Sequence, residues 1–311
     1  MSVMDAAFMV DFLGATVRIA TPILMAAMGG ILIERSGTFA VGLEGMMLSG
    51  AFCGVVGAFL SGSIVGGLLA ACLGGLLFGL IIAVATTKFD TEHMVTGLAA
   101  NLLALGLTSF VLRTVVGGGK APVIHIPLLQ PVAIPALADI PVVGALLFRQ
   151  PPLTYVAFVG VIAIAIFLRR TRGGLLLTAS GENPLAVFAA GTDPIQVRFA
   201  ALFAGGAIAG LAGAVLSLQQ IGTFTDGMTG GRGYMALAAV IVGRWLPLGT
   251  LAGCLMFGAT EAMQLRAQAF NLPVSSYVIQ MVPYLAALLV LAGLGRTARL
   301  PSAIGQPFRR D

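Results

Sequence analysis

Apolar residues in this chain come in long runs with no strict period, and nine of those runs are long enough to matter in a bilayer. They cover residues 14–33, 39–60, 62–85, 94–116, 153–168, 199–219, 228–243, 249–270 and 276–295. A transmembrane helix needs about 20 mainly apolar residues, so the pattern predicts an all-α, polytopic transmembrane helix bundle of about nine spans. The seventh run is the shortest. It is bounded by Arg232 and Arg244, which predicts a half-helix or interrupted helix in place of a full crossing.

Residues 1–311 are expected to form one transmembrane domain with two long connections. The first, about 117–152, is rich in proline and poor in charge, and suggests an ordered cap. The second, about 169–198, opens with Arg169, Arg170 and Arg172 and holds a short amphipathic stretch where a partner could dock. An odd number of spans with the C-terminus inside puts eleven of the 17 basic residues on the cytoplasmic side. That bias predicts a cytoplasmic C-terminus, an external 117–152 loop and a cytoplasmic 169–198 loop.

Composition agrees with a lipid solvent. Of 311 residues 58% are hydrophobic and 9% charged, against about 25% charged in a soluble domain. The 42 glycines suit closely packed membrane helices, and GxxxG pairs recur at Gly50/Gly54, Gly62/Gly66, Gly75/Gly79, Gly206/Gly210 and Gly249/Gly253. The net charge of +5 is accounted for by orientation, so nucleic-acid binding is not expected. Met1 to Leu13 carries Asp5 and Asp11 and no basic leader, so the first span is expected to be retained.

Several chemistries can be set aside. Gly117-Gly-Gly-Lys120 has Thr114 and Ala121 where a phosphate loop needs glycine and Ser or Thr, so any ATP must be bound by another subunit. His93 and His125 lack ligand spacing, Cys53, Cys72 and Cys254 lie within apolar runs, and Met47 occupies the first glycine of a serine-hydrolase elbow at Ser49. No catalytic residue, metal site or cofactor is expected.

Polar residues inside apolar runs carry a functional prior because charge at the bilayer centre costs at least ~2.5 kcal/mol unless paired or solvated. Glu44, among Gly42, Gly45, Met46 and Met47, is the sharpest case. It is either a pathway-lining acceptor for a polar substrate or a carboxylate paired with Arg35 or a backbone amide. Glu261 and Arg266 are expected to interact along one helix. Gly42-Leu-Glu-Gly-Met-Met47 and Gly231-Arg-Gly-Tyr-Met-Ala236 each head an apolar run, an echo expected of an internal repeat. The substrate pathway is therefore placed at Gly42, Glu44, Gly45, Met46, Gly231, Arg232, Gly233 and Tyr234, with Glu44 near the second string.

Longer strings are more specific. Glu34-Arg-Ser-Gly37, Gly42-Leu-Glu-Gly-Met-Met47, Thr96 to Thr108, Ser180-Gly-Glu-Asn-Pro184 with Ala190-Gly191, and Gly231 to Gly243 with Pro247-Leu-Gly249 occur in one order. Over residues 31–295 the chain closely resembles permease subunits of bacterial ABC importers for nucleosides and simple sugars, within the branched-chain amino acid and ribose permease family. It departs at Ala40 and Val41, where the asparagine often seen before the second string is absent.

The resemblance implies an importer of the bacterial inner membrane, with ATP-binding subunits, a second and different permease subunit, and an external substrate-binding protein or lipoprotein. It also implies that Gly181, Glu182, Asn183, Pro184 and Gly191 form the element that couples to the ATPase. The alternatives are an ion-coupled carrier working alone, which would leave that element unexplained, and a membrane-embedded enzyme, for which the sequence holds no catalytic constellation.

Overall fold

The computed structural model describes residues 3–116, 124–133, 148–269 and 300–308, with isolated positions between 278 and 293. Ten helices account for nearly all of it: α1 (Val3–Arg35), α2 (Leu43–Ser61), α3 (Ile64–Lys88), α4 (His93–Val111), α5 (Pro152–Arg170), α6 (Arg172–Glu182), α7 (Pro184–Ala189), α8 (Pro194–Ala214), α9 (Arg232–Val242) and α10 (Pro247–Ala269). A two-residue antiparallel ribbon pairs Val132 with Gln150 and Ala133 with Arg149. Among the described residues six helices are long and apolar enough to cross a membrane, namely α1 to α5 and α8 with its extension. The ninth predicted run, 276–295, lies largely outside the described residues.

Every residue from 20 to 34 of α1 is buried. A helix that is apolar all round has no face to give to water or to lipid alone, and it becomes the centre of the bundle. Helices α8, α10 and α9 pack on α1, and α5 lies against its side. The helix is also longer than the predicted 14–33 run, because a helix can continue past the hydrocarbon layer into the headgroup region, where a residue such as Asp11 meets no apolar medium.

At the periphery the usual burial rule is inverted. Leu69, Leu73, Leu77 and Ile81 form an exposed stripe along α3, and Val156, Val159, Ile162 and Ile166 do the same on α5. Such stripes suit lipid. Inside, α2, α3 and α8 meet through glycine: a Cβ on Gly210 would lie 2.2 Å from the Ala71 carbonyl oxygen, and one on Gly50 2.3 Å from Gly210. The GxxxG pairs at 50, 75 and 206 therefore serve this one three-helix contact.

Local signals set the starts. Pro152, Pro184 and Pro194 occupy first-turn positions of α5, α7 and α8, where the missing N–H is no loss. Glu92, Asn183 and Asp193 cap α4, α7 and α8 by accepting backbone N–H bonds. The amides of Val95 and Met94 hold the exposed Glu92 carboxyl below the usual carboxylate range.

Helix α8 ends in a π-helical stretch, Val215–Ile221, which Gly222 terminates with φ +79°. There Leu218 O and Gly222 O accept the amides of Leu129 and Ile126 at 3.1 and 2.8 Å. The described part of the 117–152 connection thus lies over the end of α8 opposite Arg198. The remainder of that connection lies outside the described residues.

Gly210 sits against two helix backbones, whereas a Cβ added at Gly106 would meet nothing within 4 Å. Gly210→Leu is therefore expected to abolish the monodisperse, detergent-extracted protein and Gly106→Leu to leave it intact. Size-exclusion profiles at matched expression check this pair.

Candidate functional site: two helix starts that meet inside the bundle

Helix α2 does not begin at the face where α1 ends. The intervening chain, residues 36–42, rises without helical structure, and Gly42 then caps α2. Its depth follows from α4: Asn101, about 12 Å into that helix at 1.5 Å per residue, accepts the Gly45 amide at 2.8 Å and donates to Val41 O at 3.0 Å. Helix α9 has 11 residues and ends at the same face as α1, where Trp245 O accepts from Arg35 Nε at 3.2 Å. Its start therefore lies about 16 Å inside that face, roughly the middle of a ~30 Å hydrocarbon layer.

The two starts are bound to each other through Glu44. Its Oε1 accepts from Thr229 Oγ1 at 2.6 Å and from the Gly231 amide at 2.8 Å, and its Oε2 accepts from the Gly233 amide at 2.7 Å. The first N–H groups of a helix have no intrahelical partner, and here a carboxylate from another helix supplies it, at the positive end of the α9 dipole. Close approach is obligatory: a Cβ on Gly233 would lie 2.5 Å from the Glu44 nitrogen. Gly231, at φ +84°, makes the turn into the helix.

The other predicted pathway residues divide. Tyr234 is 41% exposed, and its hydroxyl accepts from Asn101 Nδ2 at 2.8 Å. Gly42 and Gly45 sit against Ile82 and Asn101. Met46, 1% exposed, belongs to the apolar core. Arg232 forms an ion pair with Glu261 of α10. That corrects the expected Glu261–Arg266 pair: five positions on a helix are about 140° apart, too far around to face each other, and Arg266 stacks over Phe12 at 5.6 Å. Arg35, the other partner considered for Glu44, is engaged with Trp245.

Asn101 is not among the residues expected from the sequence, although a lone amide inside an apolar helix is a signal of its own. It ties α4 to the starts of both α2 and α9 through Val41, Gly45 and Tyr234.

The second predicted group lies at the face where α1 ends. A Cβ on Gly181 would lie 2.3 Å from the Arg35 carbonyl oxygen. Glu182 Oε2 accepts from Ser302 Oγ at 3.2 Å, and Asn183 Oδ1 accepts the Ala186 amide at 3.1 Å, capping α7 ahead of Pro184. Gly191 turns at φ +86° with open space around it. The amphipathic stretch expected in 169–198 is thus two short helices, α6 and α7. Leu185 and Phe188 of α7 are exposed.

Among the described residues no three His, Cys, Asp or Glu side chains gather as metal ligands. What the geometry offers instead is a bundle with a polar, glycine-lined junction at mid-depth. Residues 12–291 match the family described as branched-chain amino acid transport system / permease component. The chain belongs to this permease family. It is therefore a multi-pass membrane permease subunit, and ATP hydrolysis is not its own chemistry.

Three relatives narrow the comparison. The guanosine ABC transporter permease protein NupQ of Bacillus subtilis is 34% identical over 94% of this chain and 95% of its own length. The putative glucose ABC transporter permease protein TsgC13 of Haloferax volcanii is 31% identical over 98% and 99%. The nucleoside ABC transporter permease protein NupC of Lactococcus lactis is 33% identical over 92% of each.

Replacing Asn101 with leucine would orphan the Gly45 amide and the Val41 carbonyl, at about 1–3 kcal/mol for each buried group. The permease carrying Asn101→Leu is expected to unfold at a lower temperature in detergent than the parent. Asn101→Gln, which has the same donors and acceptor on a longer arm, is expected to lose less.

Proposed function

We propose that this permease subunit forms, with a second and different permease subunit, the pathway of an ATP-driven importer for a nucleoside or simple sugar. The observation that carries this reading is the Glu44 junction. Two helix starts meet at mid-depth, where irregular backbone is tolerated only if it packs on protein or lines a cavity. A nucleoside or sugar presents hydroxyls, and the exposed Tyr234 side chain beside Glu44 offers a polar group to match them. The names of the three relatives, guanosine, nucleoside and glucose permeases, support the same substrate class.

In this reading the face where α1 ends is cytoplasmic, and residues 222–242 together make one of nine crossings, a loop descending to mid-depth and a half-helix completing it. The paired starts of α2 and α9 support the internal repeat. Gly181 to Pro184, Gly191 and the exposed apolar side of α7 receive the ATP-binding subunit, and a binding protein or lipoprotein delivers substrate from the opposite side of the cell membrane. Nucleotide-driven closure would rock one helix group against another around the junction.

Topology is tested by thiol labelling in a background lacking the three native cysteines. A cysteine at Leu128 is expected to react with an impermeant reagent on intact cells, and one at Gln306 only after permeabilisation; the opposite pattern would invert the proposed orientation.

Transport is tested by uptake of radiolabelled guanosine or glucose into vesicles holding the permease pair, the ATPase and the binding protein. Uptake is expected to require ATP, to be lost on deleting Gly181 to Pro184, and to fall severely in Glu44→Leu. Glu44→Gln should fall less, since it keeps one acceptor but turns an amide group towards a backbone donor. ATP-independent uptake by the permease alone would favour the ion-coupled carrier and overturn this assignment.

A further inference from the structure

Arg198, near the start of α8, is 3% exposed, and its three hydrogen bonds all go to backbone carbonyls. Nε donates to Ser36 O at 3.3 Å, Nη1 to Gln306 O at 2.7 Å and Nη2 to Ala303 O at 3.3 Å. Burying a guanidinium is costly unless its donors are satisfied. Here a rigid fork is matched to three acceptors on two separate stretches of chain, a geometry that a lysine point charge cannot reproduce. Ser36 O also lies just past the end of α1, where the helix dipole favours a cation.

The two stretches are bound to each other and to the end of α6. The Gly305 amide donates to Gly37 O at 2.9 Å, the Ala303 amide to Gly181 O at 2.9 Å, and Ser180 Oγ to Ser36 O at 3.2 Å. Gly37 holds φ +95°, and a Cβ there would lie 2.9 Å from Arg198 Nη2. The 36–37 turn begins the non-helical rise that ends at Gly42 and Glu44. One arginine therefore holds together the Gly181 end of the segment assigned to the ATPase and the foot of the chain that leads to the mid-depth junction.

We infer that Arg198 is a positioning residue for energy coupling: it makes the end of α6, the 36–37 turn and residues 303–306 one rigid body, so that displacement at Gly181 to Pro184 is delivered to the start of α2. This inference rests on the proposed importer function. A bistable element moved as a unit by nucleotide state is what such coupling requires. The tail serves as a strap across the turn, and α8 carries the arginine that locks it.

The test uses the complete transporter in vesicles, measuring ATP hydrolysis and uptake of radiolabelled guanosine or glucose, whichever the parent complex moves. In Arg198→Gln the ATPase subunit is expected to remain bound and to hydrolyse ATP, while uptake per ATP hydrolysed falls by about tenfold, in the range of ordinary coupling energies. Arg198→Lys, which keeps a cation and donors, should recover part of that ratio. Truncation after Leu300 keeps Arg198 itself but removes two of its three acceptors together with the Ala303–Gly181 and Ser302–Glu182 bonds of the same strap, and is expected to give the same uncoupling should the Gln variant fail to accumulate. A parallel fall of hydrolysis and uptake at constant ratio, or no change in either, would overturn the inference and leave Arg198 a purely structural staple. Failure of the importer reading itself is distinguishable, because it would appear in the parent complex as uptake that ignores ATP.

Discussion

Backbone amides at mid-membrane depth have no water to bond, and this constraint organises the centre of the permease. Starting two helices inside the hydrocarbon layer frees several N–H groups at once. The chain answers with side chains from other helices: Glu44 takes Gly231 and Gly233, and Asn101 takes Gly45 while donating to Val41 O. Glycine at 45 and 233 follows from the same need, because a carboxylate or amide reaches those donors only when the backbones are almost in contact. The polar residues of the junction are thus parts of its architecture first, and their capacity to meet a substrate follows from where that architecture places them.

Around the junction the bundle is stiff in some directions and loose in others. Helices α2, α3 and α8 share a glycine-lined contact in which backbone meets backbone at Gly50, Gly75 and Gly210, so they are expected to move as one group. Helices α4 and α5 present apolar stripes outward and make less extensive contacts with the bundle. The α9 half-helix sits between the regimes, fixed at its start by Glu44 and the Arg232–Glu261 pair and at its end by the turn at Arg244 and Trp245, both at φ +56°. Trp245 Nε1 donates to the buried Glu34 at 2.5 Å, so that this turn is tied to the end of α1. Motion of α9 relative to α2 would have to break or carry these ties.

Much of this is legible in the sequence because it depends on local composition. Apolar runs mark helices α2 to α5 and α8, and the charged ends of the run at 228–243 announce a helix too short to cross. Glycine beside a lone acid marks the start of α2, and glycine beside an arginine that of α9. What is not legible depends on contacts between residues far apart in the chain. Asn101 meets a tyrosine 133 positions away, and Glu261 takes Arg232, 29 positions earlier, over the arginine five positions later that proximity suggests. Met46 neighbours Glu44 in the chain, which groups it with the pathway, but residues two apart on a helix point about 160° from each other, and Met46 turns to the core. Arg198 looks like one more basic residue at a membrane edge, since no local pattern distinguishes an arginine facing water from one facing three carbonyls.

The electrostatics of the junction also bear on what it can bind. The Glu44 charge is spent on two amides, a hydroxyl and the α9 dipole, and Arg232 is matched by Glu261. No unpaired charge is therefore offered to a ligand by these two residues. A free amino acid carries an ammonium and a carboxylate, each needing an opposite charge or several oriented dipoles when taken from water. A nucleoside or sugar needs only hydrogen-bonding groups and an apolar or aromatic surface, and the exposed Tyr234 ring and hydroxyl are groups of that kind. Within a family described by branched-chain amino acid transport, a junction whose carboxylate is spent on neutral donors and whose arginine is paired agrees with the proposed uncharged, hydroxylated substrate.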